Sequence, residues 1–365
     1  MTSHSLGLMQ HIDLICSGQE VLKQFVTSPI EIHYQGEAVT KRVVVTDHAF
    51  KNLKHEEAMA HDLGVTLSVF QCTDELETAT AVRGADVVVT NFAPITRSVL
   101  SILAKNATVI RYGIGYDNVD VASATEFGIT VANVPDYGVE TVANHAAACV
   151  LSLTRRLSTY TSLIRSNGWA KPGDVGDLPA LSSLTVGFVG FGRIAQALHQ
   201  RLRVFGFSFV AYDPVTPPTV QNAPDVKSVS LDELARLSNI VSLHAPSNEL
   251  TKGMIGREFL ALVPTGALII NTARGALIDT DALIVSLEEG RVGGAALDVT
   301  EPEPLQLHSR LREMPNVILT PHAAFYDDMS IDRLQLMASQ EAARALRGEA
   351  LRSPVNRPTI IQAED

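Results

Sequence analysis

A glycine-rich turn near the middle of the chain constrains the fold more than any other segment. Residues 184–195 read LTVGFVGFGRIA, so a Gly-x-Gly-x-x-Ala pattern follows an apolar run and precedes a helical one. In this pattern Gly190 permits a tight turn, Gly192 lets the backbone approach a pyrophosphate, and the small Ala195 lets the helix pack closely on the strand. The phosphates would bind N–H groups at the helix N-terminus, where the helix dipole favours negative charge. The turn predicts a doubly wound nucleotide-binding domain.

An acidic residue at the end of the next predicted strand supports this interpretation. Asp213 follows Ala211 and Tyr212 and lies 23 residues after Gly190. A carboxylate at this spacing accepts a hydrogen bond from the ribose 2′-hydroxyl and would repel a 2′-phosphate. We therefore expect NAD rather than NADP. The alternative is a glycine-rich turn that coincides with an unrelated strand-end acid.

Short apolar runs alternate with helical segments on both sides of this turn. Continuous apolar strands separated by helices are typical of parallel sheets covered on both faces. The sequence therefore predicts an α/β fold with two doubly wound parallel-sheet domains. The predicted strands are 42–46, 66–70, 87–90, 108–111 and 129–133 in the first domain, then 184–189, 208–212, 240–243, 267–270, 294–297 and 317–320 in the second.

The same pattern predicts the domain bounds. Residues 41–135 together with 327–352 form the first domain, and residues 136–326 form the second, nucleotide-binding domain. Within them, helices are expected at 52–63, 95–104, 139–156 and 330–347, and residues 167–183 are expected to form an extended arm. Residues 1–40 are an extension of unknown role, with a weak helix near 12–25.

Charge and composition exclude several classes of protein. The net charge of −11 argues against a nucleic-acid partner, because no basic stripe is present to neutralise phosphates. No apolar run approaches the roughly 20 residues that a membrane span needs. Cys16, Cys72 and Cys149 lie far apart without metal-ligand spacing, so we expect reduced thiols, a cytoplasmic protein and no metal. The N-terminus lacks the basic region of a secretory signal.

Three segments that follow predicted strands carry a combination of catalytic side chains. The guanidinium of Arg274, in NTARG, suits a bidentate grip on a carboxylate and can polarise a neighbouring carbonyl. His322, in LTPHAA, can accept a proton from an alcohol or return it, because histidine titrates near neutrality. Glu303 is a candidate partner for the other ring nitrogen, where it would fix the tautomer. The alternatives are a surface ion pair for Arg274 and a core histidine for His322.

These segments also carry a family resemblance. The phrases GFGRIAQAL, NTARGALID, AALDVTEPEPL and LTPHAAFY, in this order, resemble the D-isomer-specific 2-hydroxyacid dehydrogenases over residues 41–352. VIRYGIGYDNVDV and TPHAAFYDD are most similar to the C-terminal-binding-protein branch and its bacterial relatives. The resemblance implies a flavodoxin-like substrate domain, a Rossmann NAD-binding domain and an active cleft between them. It also implies a homodimer formed through the cofactor domains, with the 167–183 arm as a candidate contact.

The implied reaction is hydride transfer between nicotinamide and C2 of a small D-2-hydroxy or 2-keto acid. The resemblance assigns the substrate carboxylate and carbonyl to Arg274, proton exchange to His322, and the carboxylate partner to Glu303 rather than Glu301. The turn formed by Arg111, Tyr112 and Gly113 would also bind the substrate. Implied cofactor contacts are Gly190, Phe191, Gly192, Arg193, Ile194, Asp213, His244, Ala245, Pro246, Thr251, Thr272, Ala273, Asp298, His322 and Ala324.

Two positions depart from the family pattern. Phe325 stands where the C-terminal-binding proteins have Trp, and Asn144 replaces a common acid. We expect the neighbouring His145 and the strand-end His244 to be structural, and the substrate side chain to lie near residues 91–94 and Tyr112. The rival function is an NAD-sensing scaffold with little turnover. A formate or phosphite dehydrogenase is less favoured, because the formate enzymes differ at the position of Glu303. The sequence leaves the particular acid and the physiological direction open.

Overall fold

The computed structural model describes residues 41–215 and 223–358, together with the backbone of residues 30–32. The described residues form two compact units. The first runs up to Tyr137 and resumes at Ile331, and the second spans Gly138–Ser330. The helix predicted at 12–25 lies outside the described residues.

The first unit is built on a sheet whose described strands have the order β1-β3-β2-β4-β5-β6. Strands β2 to β6 are parallel, and β1 pairs antiparallel with β3. Without β1 the order is that of the flavodoxin-like sheet. The strands are β1 (Ile30–Ile32), β2 (Arg42–Val45), β3 (Thr66–Val69), β4 (Val87–Thr90), β5 (Thr108–Arg111) and β6 (Thr130–Asn133), and the helices are α1 (Lys54–Leu63), α2 (Glu75–Val82), α3 (Arg97–Leu100) and α4 (Val121–Glu126).

The second unit contains a wholly parallel sheet of order β13-β12-β11-β10-β7-β8-β9. This is the Rossmann order with an added strand at one edge. Its strands are β7 (Thr185–Val189), β8 (Ser208–Tyr212), β9 (Val226–Ser228), β10 (Ile240–Leu243), β11 (Ala267–Asn271), β12 (Val292–Leu297) and β13 (Val317–Leu319). Its helices are α5 (Val139–Thr154), α6 (Leu157–Asn167), α7 (Arg193–Leu202), α8 (Leu231–Leu237), α9 (Arg257–Leu262), α10 (Thr280–Glu288) and the start of α11 (Asp328–Arg347), which continues into the first unit.

Helices cover both faces of the second sheet, because its strands are apolar on both sides. Val150 of α5 and Leu198 of α7 pack with Phe188 of β7 in one cluster. Leu260 of α9 and Leu283 of α10 pack with Val241 of β10 in another. The predicted α/β fold with two parallel-sheet domains is confirmed.

Several short elements differ from the prediction. Strand β9 was missed because its sequence, Val-Lys-Ser, is short and largely exposed. Strand β1 lies in a segment without a recognisable pattern, and α6 was not predicted because none of its side chains is buried. The helix expected at 95–104 is only Arg97–Leu100. The 167–183 arm contains two short 3₁₀ turns, Pro172–Val175 and Leu181–Ser183.

The described cysteines are buried and free. Burial raises the pKa of both the Cys72 and the Cys149 thiols to about 11. Cys16 lies outside the described residues. In the parts of the chain that the structure covers, no helix combines the length and apolarity needed to cross a bilayer.

A buried carboxyl group connects three elements of the first unit. Glu56 of α1 is 1% exposed and accepts a hydrogen bond from the Tyr112 hydroxyl at 2.8 Å. The Gln335 amide of α11 contacts the other carboxyl oxygen at 3.3 Å and donates to the Asn52 carbonyl at 2.7 Å. Desolvation raises the pKa of Glu56, although hydrogen bonds from Tyr112 and Gln335 oppose the rise.

This raised pKa makes the stability of the chain depend on pH. The folded state holds the Glu56 proton more tightly than the unfolded state, so the contribution of Glu56 to stability is lost as pH rises from the unfolded pKa through the folded one. Glu56→Gln stays neutral and keeps an acceptor for Tyr112. We expect the unfolding free energy of this variant, relative to wild type, to increase from acid to neutral pH in urea titrations. Glu57→Gln, at the exposed neighbouring position, is the control. Parallel pH curves for the two variants would contradict the interpretation.

Candidate active site

The glycine turn after β7 has the conformation that the sequence predicts. Gly190 has φ +87°, in the region that favours glycine. A Cβ at Gly190 would lie 2.9 Å from the His244 carbonyl carbon and 3.0 Å from the Ala245 nitrogen. The turn after β7 therefore packs directly against the segment after β10, which carries the predicted contacts His244, Ala245 and Pro246.

The first turn of α7 offers backbone donors to an anion. Gly192 is its N-cap and provides no side-chain cap, and a Cβ at Gly192 would meet nothing within 4 Å. Ala195, by contrast, is fully buried against the sheet. Arg193 is exposed at the start of the helix, and Ile194 is half-buried. The clearance beside Gly192 and the N-terminal end of α7 fit the approach of a pyrophosphate.

Asp213 lies beside this turn, at the end of β8. Its Oδ2 accepts a hydrogen bond from the Phe191 backbone nitrogen at 2.7 Å, and its Oδ1 accepts one from Val215 at 2.8 Å. The carboxylate is half-buried and held by backbone donors. This placement suits an acceptor for a ribose hydroxyl next to the phosphate turn.

The loops after β10 and β11 supply the other predicted cofactor contacts. Desolvation lowers the pKa of His244 to about 4, and its Nε2 lies 2.9 Å from the Ser242 hydroxyl, which indicates a neutral structural ring. The Thr251 hydroxyl donates to the Pro246 carbonyl at 2.7 Å and so closes its own loop. The Thr272 hydroxyl oxygen, in contrast, is buried and has no hydrogen-bond partner among the described residues. A buried polar atom of this kind fits a ligand such as NAD.

The three predicted catalytic residues follow three adjacent parallel strands, β11, β12 and β13. Nδ1 of His322 lies 2.7 Å from Oε1 of Glu303, and the two side chains are 23% and 42% exposed. Glu301 is exposed, and its backbone carbonyl accepts a hydrogen bond from the Thr280 hydroxyl at 3.2 Å. The structure therefore brings Glu303, and not Glu301, to the imidazole.

Arg274 lies on the loop after β11, half-buried, with its Nη1 donating to the Ala273 carbonyl at 2.7 Å. The Ala273 nitrogen donates to the Asn271 side chain at 3.0 Å, which fixes the start of the loop. A Cβ at Gly275 would collide with the backbone of Thr300 and Glu301. The loop that carries Arg274 therefore packs tightly against the loop that leads to Glu303.

Asp298, which the resemblance places near the nicotinamide, is 3% exposed. Its carboxylate accepts hydrogen bonds from the backbone nitrogens of Ala323 at 2.8 Å and Ala324 at 2.9 Å. The side chain therefore stabilises the loop after β13, and the amide of Ala324 is already engaged. A contact of Asp298 or Ala324 with the cofactor stays a prediction.

Asn144 and Phe325, the two departures from the family pattern, each make a local contact in the structure. The Asn144 side-chain oxygen accepts a hydrogen bond from Nε of Arg201 on α7 at 2.6 Å. Glu140, one helical turn earlier on α5, forms the ion pair with Arg201. The Phe325 ring lies edge-on to the His322 ring, with centroids 6.1 Å apart. An aromatic side chain therefore accompanies the imidazole although Trp is absent.

In the first unit, the predicted substrate turn follows β5. Gly113 has φ +128°, and the Arg111 guanidinium occupies the space where a Cβ would lie. The Arg111 guanidinium carbon is 5.6 Å from the centre of the Phe92 ring. Tyr112 is 1% exposed and its hydroxyl is hydrogen-bonded to Glu56, so its side chain is not available to a ligand. Of the predicted substrate contact at Tyr112, the backbone remains.

A cavity of about 390 Å³ lies at the carboxyl ends of β2, β3 and β4 in the same unit. It includes two residues of the 91–94 region where the substrate side chain was expected. Burial lowers the pKa of His48 in its wall. The carboxyl ends of strands next to a topological switch are where open α/β sheets bind ligands. The cavity is lined by Asp47, His48, Ala49, Gln71, Cys72, Thr73, Asn91 and Phe92.

Comparison with known proteins agrees with this geometry. Residues 147–324 match the family model of the D-isomer specific 2-hydroxyacid dehydrogenase NAD binding domain. The chain is 33% identical over 332 residues to D-3-phosphoglycerate dehydrogenase of Methanocaldococcus jannaschii, covering 88% of this chain and 60% of that protein's length. It is 34% identical over 289 residues to glyoxylate reductase of Thermococcus litoralis, covering 77% of this chain and 87% of the relative.

A solved structure shows the same fold. D-Lactate dehydrogenase from Aquifex aeolicus, in complex with NAD and lactic acid, superposes with a TM-score of 0.78 at 27% identity, covering 87% of this chain and 100% of that one. The similarity to the C-terminal-binding-protein branch stays a prediction. The chain belongs to the D-isomer-specific 2-hydroxyacid dehydrogenase family, and its second unit carries the NAD-binding domain of that family.

Proposed function

We propose that this protein is an NAD-dependent oxidoreductase that interconverts a small 2-keto acid and the corresponding D-2-hydroxy acid. The observation that carries the proposal is the 2.7 Å contact between His322 and Glu303. It lies at the carboxyl edge of the sheet that also carries the phosphate turn, one strand away from the loop of Arg274.

Each side chain has a distinct role in this reaction. The glycine turn at Gly190 and Gly192 together with Asp213 would hold NAD, and the bound nicotinamide would supply the hydride acceptor, or as NADH the hydride donor, for C2 of the acid. The Glu303 carboxylate accepts a hydrogen bond from Nδ1–H of His322, which fixes the tautomer, so proton exchange with the substrate oxygen falls to Nε2. The Arg274 guanidinium binds the substrate carboxylate and polarises the adjacent carbonyl.

A screen of NADH oxidation against glyoxylate, pyruvate, hydroxypyruvate and bulkier 2-keto acids tests the proposal. Turnover numbers in the ordinary enzyme range, above about 1 per second, support the dehydrogenase. Slow consumption with every acid, together with NAD-dependent dimerisation, would support the scaffold instead.

The proposed role of the His322 imidazole in proton exchange can be tested by removing it. His322→Ala removes the general acid and base, so kcat should fall by roughly 10²- to 10⁴-fold, while the Kd for NADH stays close to that of wild type. Steady-state kinetics and NADH fluorescence titration measure the two quantities. His308→Ala, at an exposed histidine before β13, is the control and should retain turnover. Undiminished kcat in His322→Ala would remove the imidazole from the mechanism.

The proposed role of Asp213 in selecting NADH over NADPH can be tested by substitution. Asp213→Ser removes the carboxylate that would repel a 2′-phosphate and retains a hydroxyl group. We expect kcat/KM for NADH to fall by about tenfold and the preference for NADH over NADPH to narrow. Kinetics with both cofactors measure the change, and Asp232→Ser, at an exposed position on α8, is the control. An unchanged ratio of kcat/KM for NADH to kcat/KM for NADPH would show that Asp213 does not discriminate between the two riboses.

We also propose that the protein acts in the cytoplasm as a homodimer formed through its second unit. Helix α6 and the following arm expose apolar side chains, with Leu157 at 55%, Ile164 at 40% and Trp169 at 76% exposure. Apolar side chains clustered on one exposed segment are typical of a protein interface. This segment supports the expected dimer contact.

The dimer proposal predicts a change of mass. Ile164→Glu together with Trp169→Glu would place charges in the interface, and light scattering coupled to gel filtration should then report a monomer. Val204→Glu, at an 80% exposed position outside the segment, should leave a dimer. A wild-type chain that is already monomeric would refute the proposal.

A further inference from the structure

The backbone around His322 adopts a conformation that requires support. His322 has φ +52°, in the left-handed region that residues other than glycine rarely occupy. Its backbone nitrogen donates to the Asp298 carbonyl at 2.8 Å and contacts the Thr320 carbonyl at 3.0 Å. The direction of the His322 ring therefore depends on the residues that hold this loop.

The Asp298 carboxylate also supports this loop. The side chain is 1% exposed, and its two oxygens accept hydrogen bonds from the backbone nitrogens of Ala323 and Ala324. The Thr320 hydroxyl donates to Oδ1 at 2.5 Å. Asp298 thus holds the loop on both sides of His322, through the Thr320 side chain and through the two amides that follow.

The hydroxyl of Thr320 extends this network to α5. A hydroxyl group has one proton, and here the proton is directed to the carboxylate. The second contact of the same oxygen, with Nε2 of His145 at 3.2 Å, therefore requires Nε2 to be the donor. Nε2 also lies 3.9 Å from Oδ1 of Asp298, so the imidazole is close to the buried carboxylate.

We propose that His145 is a positioning residue for the reaction. Its Nε2 donates a hydrogen bond to the Thr320 hydroxyl, and that hydroxyl donates to the Asp298 carboxylate. The carboxylate in turn accepts hydrogen bonds from the Ala323 and Ala324 amides and so stabilises the left-handed backbone of His322. Loss of the His145 donor leaves the Thr320 hydroxyl with an unused acceptor and frees it to rotate away from Asp298. The inference rests on the proposed function, in which His322 exchanges a proton with the substrate.

Two pairs of variants separate this role from simple packing. His145→Gln places an amide nitrogen the same number of bonds from Cα as Nε2, whereas His145→Leu fills the space without a donor. Thr320→Ser keeps the hydroxyl, whereas Thr320→Val is close to isosteric and lacks it. If only volume mattered, Leu and Val would be tolerated as well as Gln and Ser.

We expect His145→Leu and Thr320→Val each to lower kcat by about tenfold, with KM for the keto acid and Kd for NADH changed by less than about twofold. His145→Gln and Thr320→Ser should recover most of kcat. Because both side chains act through one path, the double variant His145→Leu/Thr320→Val should be no slower than Thr320→Val alone.

Hydrogen–deuterium exchange of the chain without cofactor gives a readout independent of turnover. Amides 322–324 should exchange faster in His145→Leu and Thr320→Val than in wild type. Asn144→Ala, which removes a contact of the adjacent residue on α5 with Arg201, is the matched control and should change neither kcat nor this exchange.

The outcomes separate the two proposals. If His145→Leu kept the wild-type kcat and the wild-type exchange rates of amides 322–324, the positioning role would be overturned. The same conclusion would follow if His145→Gln lost as much kcat as His145→Leu. Should His145→Leu fail to fold, Thr320→Val and His145→Gln test the same path. A wild-type chain that reduces no 2-keto acid would instead refute the proposed function, and the exchange experiment would still test the network.

Discussion

The hydrogen bond between Nδ1 of His322 and Glu303 is the interaction on which the proposed chemistry depends. It can form because β12 and β13 are parallel neighbours, so the loops after them leave the sheet at the same edge. Because the carboxylate engages Nδ1, Nε2 is the nitrogen that remains to exchange a proton with the substrate. The rest of the second unit serves to place this pair, the guanidinium of Arg274 and the cofactor turn on one sheet edge.

Close backbone packing keeps these loops in place. Gly190 lets the phosphate turn contact the loop after β10, and Gly275 lets the loop of Arg274 contact the loop that leads to Glu303. In both positions a single Cβ would collide with backbone atoms, which cannot move as a flexible side chain does. Asp298 then fixes the loop after β13 with its own side chain. The site is therefore preorganised by its supporting residues.

Periodicity and local motifs predicted most of the fold and the central site. Buried strands such as β4 and β10 were located to the residue, because each is a short, mostly apolar run with polar residues on both sides. The pairing of Glu303, rather than Glu301, with His322 followed from the spacing that the family resemblance supplied. The supporting role of His145 and Thr320 was not predictable, because it joins residues 175 apart in sequence. The burial of Tyr112 was missed for the same reason, since its partner Glu56 lies on a different element.

The central claim is that hydride is exchanged between nicotinamide and C2 of an acid held beside His322. Reduction of pyruvate or a bulkier 2-keto acid with NADH that carries deuterium at both C4 positions, followed by mass spectrometry and chiral chromatography of the product, tests it most directly. The account predicts a D-2-hydroxy acid that carries deuterium at C2. A product without deuterium at C2, or of the L configuration, would contradict it.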